Sequence, residues 1–204
     1  MKTIKQSLLL LITATTLTIS AQTKEITSAF ALSYDYEAVQ KYDAAIKSIT
    51  PVYNASSYEM NLRLGWLHYL SAKHKDAVGY YQKAIQLMPA ATEPHWAIIN
   101  PLTKLESWTE IEKTYLAILK LDTKNGSANY NLGMIYYYRK DYLTAKKYFD
   151  VALNITPFNY NNMLMSAWTN YFLGNKNEAK TLFNKVLLYS PNDKSALEGL
   201  GLIK

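Results

Sequence analysis

"NLGMIYYYRKDYLTAKKYFDVALNITP" occupies Asn131 to Pro157, and its opening Leu-Gly has a counterpart at Leu64-Gly65, where "LGWLHYLSAKHKDAVGYYQKAIQLMP" begins. The two glycines, Gly65 and Gly133, lie 68 residues apart, which is twice 34. Blocks of 34 starting at Tyr58, Thr92, Gly126 and Tyr160 keep one register, without insertion, as far as Pro191. Small, aromatic, small and proline residues recur at the same places in them. These are Ala77, Tyr81, Ala84 and Pro89 in the first block, and Ala145, Phe149, Ala152 and Pro157 in the third. The fourth has Ala179, Phe183, Val186 and Pro191, while the second is degenerate, with Ile111, Tyr115, Ile118 and Thr123.

Within a block the small and aromatic residues are spaced four and then three apart, which puts them on one helical face. A small residue lets a neighbouring helix approach, and the aromatic ring fills the space beside it. The proline that follows cannot continue the helix and ends the block. From Tyr58 to Pro191 the pattern resembles the tetratricopeptide repeat. The resemblance implies an all-α fold, a right-handed α-solenoid of stacked helix-turn-helix units whose concave wall comes from the first helix of each pair. One such pair cannot bury its own apolar face and must stack on a similar neighbour, which is why the chain repeats itself. The repeats are expected at 58–91, 92–125, 126–159 and 160–191.

The flanks read as ends of the array. Residues 22–57 are expected to form a degenerate N-terminal repeat that caps it. A helical stretch near Glu25 to Ser33 leads to Ala38, Tyr42 and Ala45, which together with Thr50-Pro51 look like a worn second helix. A single longer helix is the alternative. "VYNASS" (Val52 to Ser57) then breaks the register. Residues 192–204 are expected to supply a C-terminal capping helix, with Asp193 or Ser195 as N-cap. Its Leu197, Leu200 and Ile203 recur at helical spacing and would cover Phe183 and Leu187.

Residues 1–21 read as a signal peptide: Lys2 and Lys5, an apolar stretch from Leu8 to Ile19, then Ser20-Ala21 at the cut. A transmembrane helix needs about 20 apolar residues, so an uncleaved inner-membrane anchor is the weaker rival. Cleavage after Ala21 lowers the formal charge from +6 to +4. The exported chain is expected in the periplasm or outside the cell, touching membrane only through partners. Its charge is scattered, without the basic stripe that nucleic acid requires. The absence of cysteine excludes disulfides, zinc-thiolate sites and thiol catalysis. At 49% hydrophobic residues the chain can bury a sizeable core.

The resemblance also implies which residues form the wall. They are Leu62, Trp66, Tyr69 and Leu70 in the first repeat, and Trp96, Asn100, Thr103 and Lys104 in the second. The third gives Tyr130, Met134, Tyr137 and Tyr138, and the fourth Leu164, Trp168, Tyr171 and Phe172. This wall is aromatic and poorly charged, which implies a protein or peptide segment as ligand. Trp66 and Trp168 carry most weight, because that site is usually polar in the family. Packing against a neighbouring helix is their alternative role. A carboxylate clamp for acidic C-termini needs Lys, Asn, Asn, Lys and Arg on the wall, and only Asn100 and nearby Arg63 fit. Glycan stacking on Trp66, Tyr137 and Trp168, and self-association through the wall, stay open as other readings, as does the oligomeric state.

Pro101 falls inside the first helix of the degenerate repeat, where it should remove a hydrogen bond and kink or split the helix at a cost of ~3 kcal/mol. The bend would either expose a polar notch at Asn100 or only set the superhelix curvature. No enzyme, metal or cofactor is expected. His68, His74 and His95 lack the i,i+4 partners of a helical metal site, and Gly199-Leu200-Gly201 lacks the strand of a phosphate loop. Glu110 and Glu112 are expected on a solvated helix surface. Asn54, Asn125 and Asn154 match glycosylation acceptors, as chance allows in an asparagine-rich chain.

Overall fold

The computed structural model describes residues 22–203; the signal-type segment lies outside the described residues. Eleven α-helices make up the described chain, with no strand among these residues. Helix α1 covers residues 22–38, and α2 (Tyr42–Ile49) runs into a 3-10 turn at Thr50–Val52. There follow α3 (Tyr58–Leu70), α4 (His74–Leu87), α5 (Glu93–Lys104), α6 (Trp108–Leu121), α7 (Gly126–Tyr138), α8 (Tyr142–Ile155), α9 (Tyr160–Phe172), α10 (Lys176–Tyr189) and α11 (Lys194–Leu202). None is long and apolar enough to cross a membrane. The chain divides into two compact units, one ending at Glu106 and the other starting at Ser107.

Local chemistry fixes where helices start and stop. Side chains of Ser57, Asn125, Asp141, Asn159 and Asp193 accept backbone N–H groups from the first turns of α3, α7, α8, α9 and α11. Asp193, not Ser195, is thus the last N-cap. Helices α1, α3, α7 and α9 end alike. In α3 the Ala72 N–H reaches the Tyr69 carbonyl at 3.0 Å and the Lys73 N–H reaches the His68 carbonyl at 2.9 Å. That is the Schellman pair of bonds, which needs a left-handed residue. Gln40, Ala72, Lys140 and Gly174 supply it, with φ of 58°, 59°, 61° and 79°.

In the first unit α3 packs on α4, and Gly65 lies so close to the Tyr81 ring that a Cβ there would come within 2.7 Å of it. Gly133 meets Phe149 in the same way in the second unit, at 2.6 Å. These are the close approaches that the small residue permits and the ring fills. In α9 the corresponding residue is Ala167, fully buried in a core with Met163, Ala179, Leu182, Phe183 and Val186. Helix α11 adds Ala196 to that core, and Leu200 and Ile203 pack against it beside Leu187.

Three local expectations need correction. Ala38 closes α1 rather than opening the second helix, because the chain turns at Gln40; in α2 the buried residues are Ala45 and Ile49. The worn repeat therefore has an isoleucine where the others have an aromatic ring. Pro101 does not split α5, which is helical from Glu93 to Lys104. It lies one turn from the C-terminal end, its carbonyl still accepts the Leu105 N–H at 3.1 Å, and it is buried. A proline deletes one donor, and here burial of the ring offsets that loss. Finally, Glu112 is not a solvated surface carboxylate. It accepts the Tyr136 hydroxyl at 2.5 Å and an Arg139 N–H at 2.6 Å, joining α6 to α7.

Candidate functional site

In the first unit, the expected wall residues of α3 are half-buried or exposed, and none is sealed in the core. The Trp66 indole N–H donates to Glu37 on α1 at 2.6 Å, and its ring lies 5.7 Å from that of Tyr69. Glu37 also pairs with Arg63. Trp66 is therefore oriented by the preceding helix, yet 38% of it stays exposed. Leu62 and Trp66 line one side of an open cleft that α1 closes with Phe30, Tyr34 and Glu37. On α5, Trp96 is half-buried, whereas Asn100, Thr103 and Lys104 are exposed. Thr103 returns its hydroxyl proton to the Ile99 carbonyl at 2.8 Å.

The second unit gathers its wall residues into a run of rings. Tyr137 on α7 contacts Tyr138 at 5.8 Å and Phe172 on α9 at 6.0 Å between centroids. Phe172 contacts Tyr171 at 5.4 Å and Trp168 at 6.0 Å. Trp168 then reaches inward to Phe183 at 5.0 Å, while its N–H donates to Ser195 of α11 at 2.8 Å. Tyr130 leans on the core ring of Phe149, 5.8 Å away. Leu164, Trp168 and Tyr171 pack on the last core, and Met134 is half-buried. Open surface is concentrated at Tyr138, one end of the run, and at Phe172 in its middle, which are 74% and 47% exposed. Burial, then the neighbouring Tyr142 and Tyr138, push the Tyr137 hydroxyl up to about 12, so it remains a neutral donor and acceptor.

Some contributors do not belong to the wall pattern. Tyr142, the first residue of α8, stacks on Phe172 with centroids 4.7 Å apart and planes 12° from parallel. His74 stands in the same relation to Tyr69 at 5.8 Å, five residues on, as Tyr142 does to Tyr137 at 5.5 Å. An aromatic at the first position of four of the five second helices, Tyr42, His74, Trp108 and Tyr142, is the signal that would have found them. Phe30, Tyr34 and Glu37 carry no such signal, since α1 is out of phase with the later repeats.

Among the described residues no cluster of three or more histidine, aspartate or glutamate side chains could hold a metal. His68 lies 3.5 Å from Asp76, with its pKa lowered mainly by burial, and packs 5.0 Å from Tyr80. His95 is buried.

Three segments match family models described as tetratricopeptide repeat: residues 30–92, 126–159 and 162–193. No curated protein matches the sequence. Among solved structures, a tetratricopeptide repeat protein from Parabacteroides merdae is similar with a TM-score of 0.72 at 20% identity, over 87% of this chain and 71% of that one. MamA gives a TM-score of 0.69 at 18% identity, over 82% and 93%. YrrB, described as a TPR protein with an unusual peptide-binding site, gives 0.69 at 15% identity, over 92% and 97%. At these identities the likeness shows the α-solenoid fold alone.

Proposed function

Because the chain belongs to the tetratricopeptide repeat family, we propose that it is a non-catalytic scaffold whose first-helix wall holds a protein or peptide segment, exported and working in a cell-envelope or secretion assembly. The observation that carries this reading is the ring run of the second unit, with Tyr138 and Phe172 open to solvent. Rings already held by Tyr142 and Trp168 lose little freedom when a ligand covers them. Tyrosine adds a polar handle to a large apolar area, a combination suited to protein surfaces. The peptide-binding site named for YrrB lends the reading support from a protein of the same fold. Export rests on the order of Lys2, Lys5, the Leu8 to Ile19 stretch and Ser20-Ala21.

A photo-crosslinking residue at Tyr138, with a control at exposed Lys147 on α8, tests the proposal in the native cell envelope. The expected outcome is one discrete protein captured from Tyr138 and not from Lys147. Its purified complex should weaken by roughly tenfold or more on Phe172→Ala, as loss of an aromatic anchor does. Adducts of the chain with itself alone, or none that survive purification, would overturn the protein-ligand reading in favour of self-association or glycan binding.

A further inference from the structure

The first unit holds a cleft of about 880 Å³ with chemistry unlike that of the ring run. Its apolar wall is Phe30, Leu62 and Trp66, and its carboxylates are Glu37, Glu59 and Glu93. These three acids stand together on a chain whose formal charge is +6, so the local sign opposes the overall one. Glu37 is engaged by Arg63 and the Trp66 indole. Glu59 and Glu93 are exposed, and each accepts one hydroxyl, from Ser57 at 2.9 Å and Tyr58 at 3.2 Å respectively. A carboxylate has about four acceptor sites, so both retain capacity. The backbone N–H of Glu59, and then the Ser57 hydroxyl, hold the Glu59 carboxyl below the usual range, which keeps it charged.

Arg63 also lines the cleft and is 6% exposed. Its Nε donates to Ser33 at 2.9 Å, its guanidinium lies 3.8 Å from the Tyr34 ring centroid, and its charge is met by Glu37. Its Nη2 is buried and has no hydrogen-bond partner. Sealed from solvent, Nη2 adds positive charge beside the cleft but no contact that a ligand can reach. An anionic ligand would face three carboxylates against one guanidinium that is already neutralised. A cationic side chain meets attraction there instead.

We infer that this cleft binds an extended peptide segment bearing lysine or arginine. The aliphatic stem lies along Leu62 and Trp66, and the cationic head sits between Glu59 and Glu93. Long cationic side chains bury their stems while keeping the head at a polar rim, and an indole face adds cation–π attraction. The inference rests on the reading of the first-helix wall as peptide-binding and adds the class of segment that the first unit selects.

Fluorescence anisotropy of the whole protein with a labelled peptide of alternating lysine and leucine tests it, beside versions with glutamine or glutamate in place of lysine. The ¹H–¹⁵N signal of the Trp66 indole, identified through Trp66→Phe, reports the site. The lysine peptide should bind, shift that signal, and lose roughly tenfold in affinity on combined Glu59→Gln and Glu93→Gln, two exposed positions that leave the fold intact. Equal binding of the glutamine or glutamate peptide, no loss in the double variant, or an unmoved Trp66 signal would overturn it. If the lysine peptide fails to bind while Tyr138 still captures a protein, this inference falls and the proposed function stands.

Discussion

Gly174 makes the turn between α9 and α10 at φ 79°, whereas Ala72 and Lys140 make the same turn between α3 and α4 and between α7 and α8. A side chain in that left-handed region costs roughly 1 kcal/mol. A Cβ at Gly174 would meet nothing within 4 Å, so the cost there is backbone strain alone. Gly174→Ala should lower stability by about 1 kcal/mol. Lys140→Gly should raise it by only a few tenths, since glycine also frees the unfolded chain. Urea midpoints at unchanged slope measure both. The Tyr136–Glu112 bond makes a pH prediction. Hydrogen bonding from Tyr136 lowers the Glu112 pKa, while the same bond raises the Tyr136 hydroxyl to about 12. A lowered carboxyl stabilises the fold above its unfolded value, near 4.5, and the gain is lost as pH falls through the folded value. A raised phenol stabilises it fully below 10.0, and that gain is lost as pH rises through about 12. Tyr136→Phe should therefore reduce the loss of stability at both extremes, read as urea midpoints across pH. The pair could not be read from the sequence, because Glu112 and Tyr136 are 24 residues apart and neither belongs to the repeat pattern. The close approach of Gly65 to Tyr81 could, since its only requirement is a small residue opposite a ring in phase.

Helix α11 shows how much one element depends on such an approach. Its Gly199 faces Phe183, and a Cβ there would come within 2.2 Å of a fully buried ring that has nowhere to retreat. Asp193 accepts the Tyr160 hydroxyl at 2.6 Å and Ser195 accepts the Trp168 indole at 2.8 Å, so the same helix also steadies the ring run. Gly199→Ala should cost about 1–3 kcal/mol by overpacking and should speed amide exchange throughout α11 while changing the Trp168 indole signal. Gly201→Ala is the control, because its Cβ would meet nothing within 4 Å and alanine favours helix. A helix after Pro191 was legible from the spacing of Leu197, Leu200 and Ile203, though Leu197 is 49% exposed and does not join the core. Helix α1 was less legible. The first pair is shorter than the later repeats and has Ile49 in the place of the ring, so nothing in the period marks Gln40 as its turn. Pro101 misled for a different reason, since propensity prices the lost donor but not the burial that tertiary packing gives the ring.

At the scale of the whole chain, periodicity carries the α-solenoid class because stacking demands the same small and aromatic residues in every repeat. The ligand has no such period. Trp66 and Trp168 illustrate why: equivalent in the repeat, one is held by Glu37 on α1 and the other by Ser195 on α11. Helix packing thus uses part of the stripe that the pattern assigns to the wall, and only the three-dimensional neighbours reveal which part. The proposed setting, in contrast, rests on sequence alone and can be tested by mass. A signal peptidase cut after Ala21 removes Lys2 and Lys5 and lowers the formal charge to +4, while leaving Ser33, Glu37 and the rest of the α1 contacts with α3 in place. The exported form should therefore begin at Gln22 and keep the acid-lined cleft. Intact mass spectrometry of the exported fraction should find a chain lacking the first 21 residues, and reversing the charge of Lys2 and Lys5 should slow its appearance. A full-length mass confined to the membrane fraction would instead make Leu8 to Ile19 an anchor, placing the scaffold at the membrane surface and removing the case for a freely exported protein.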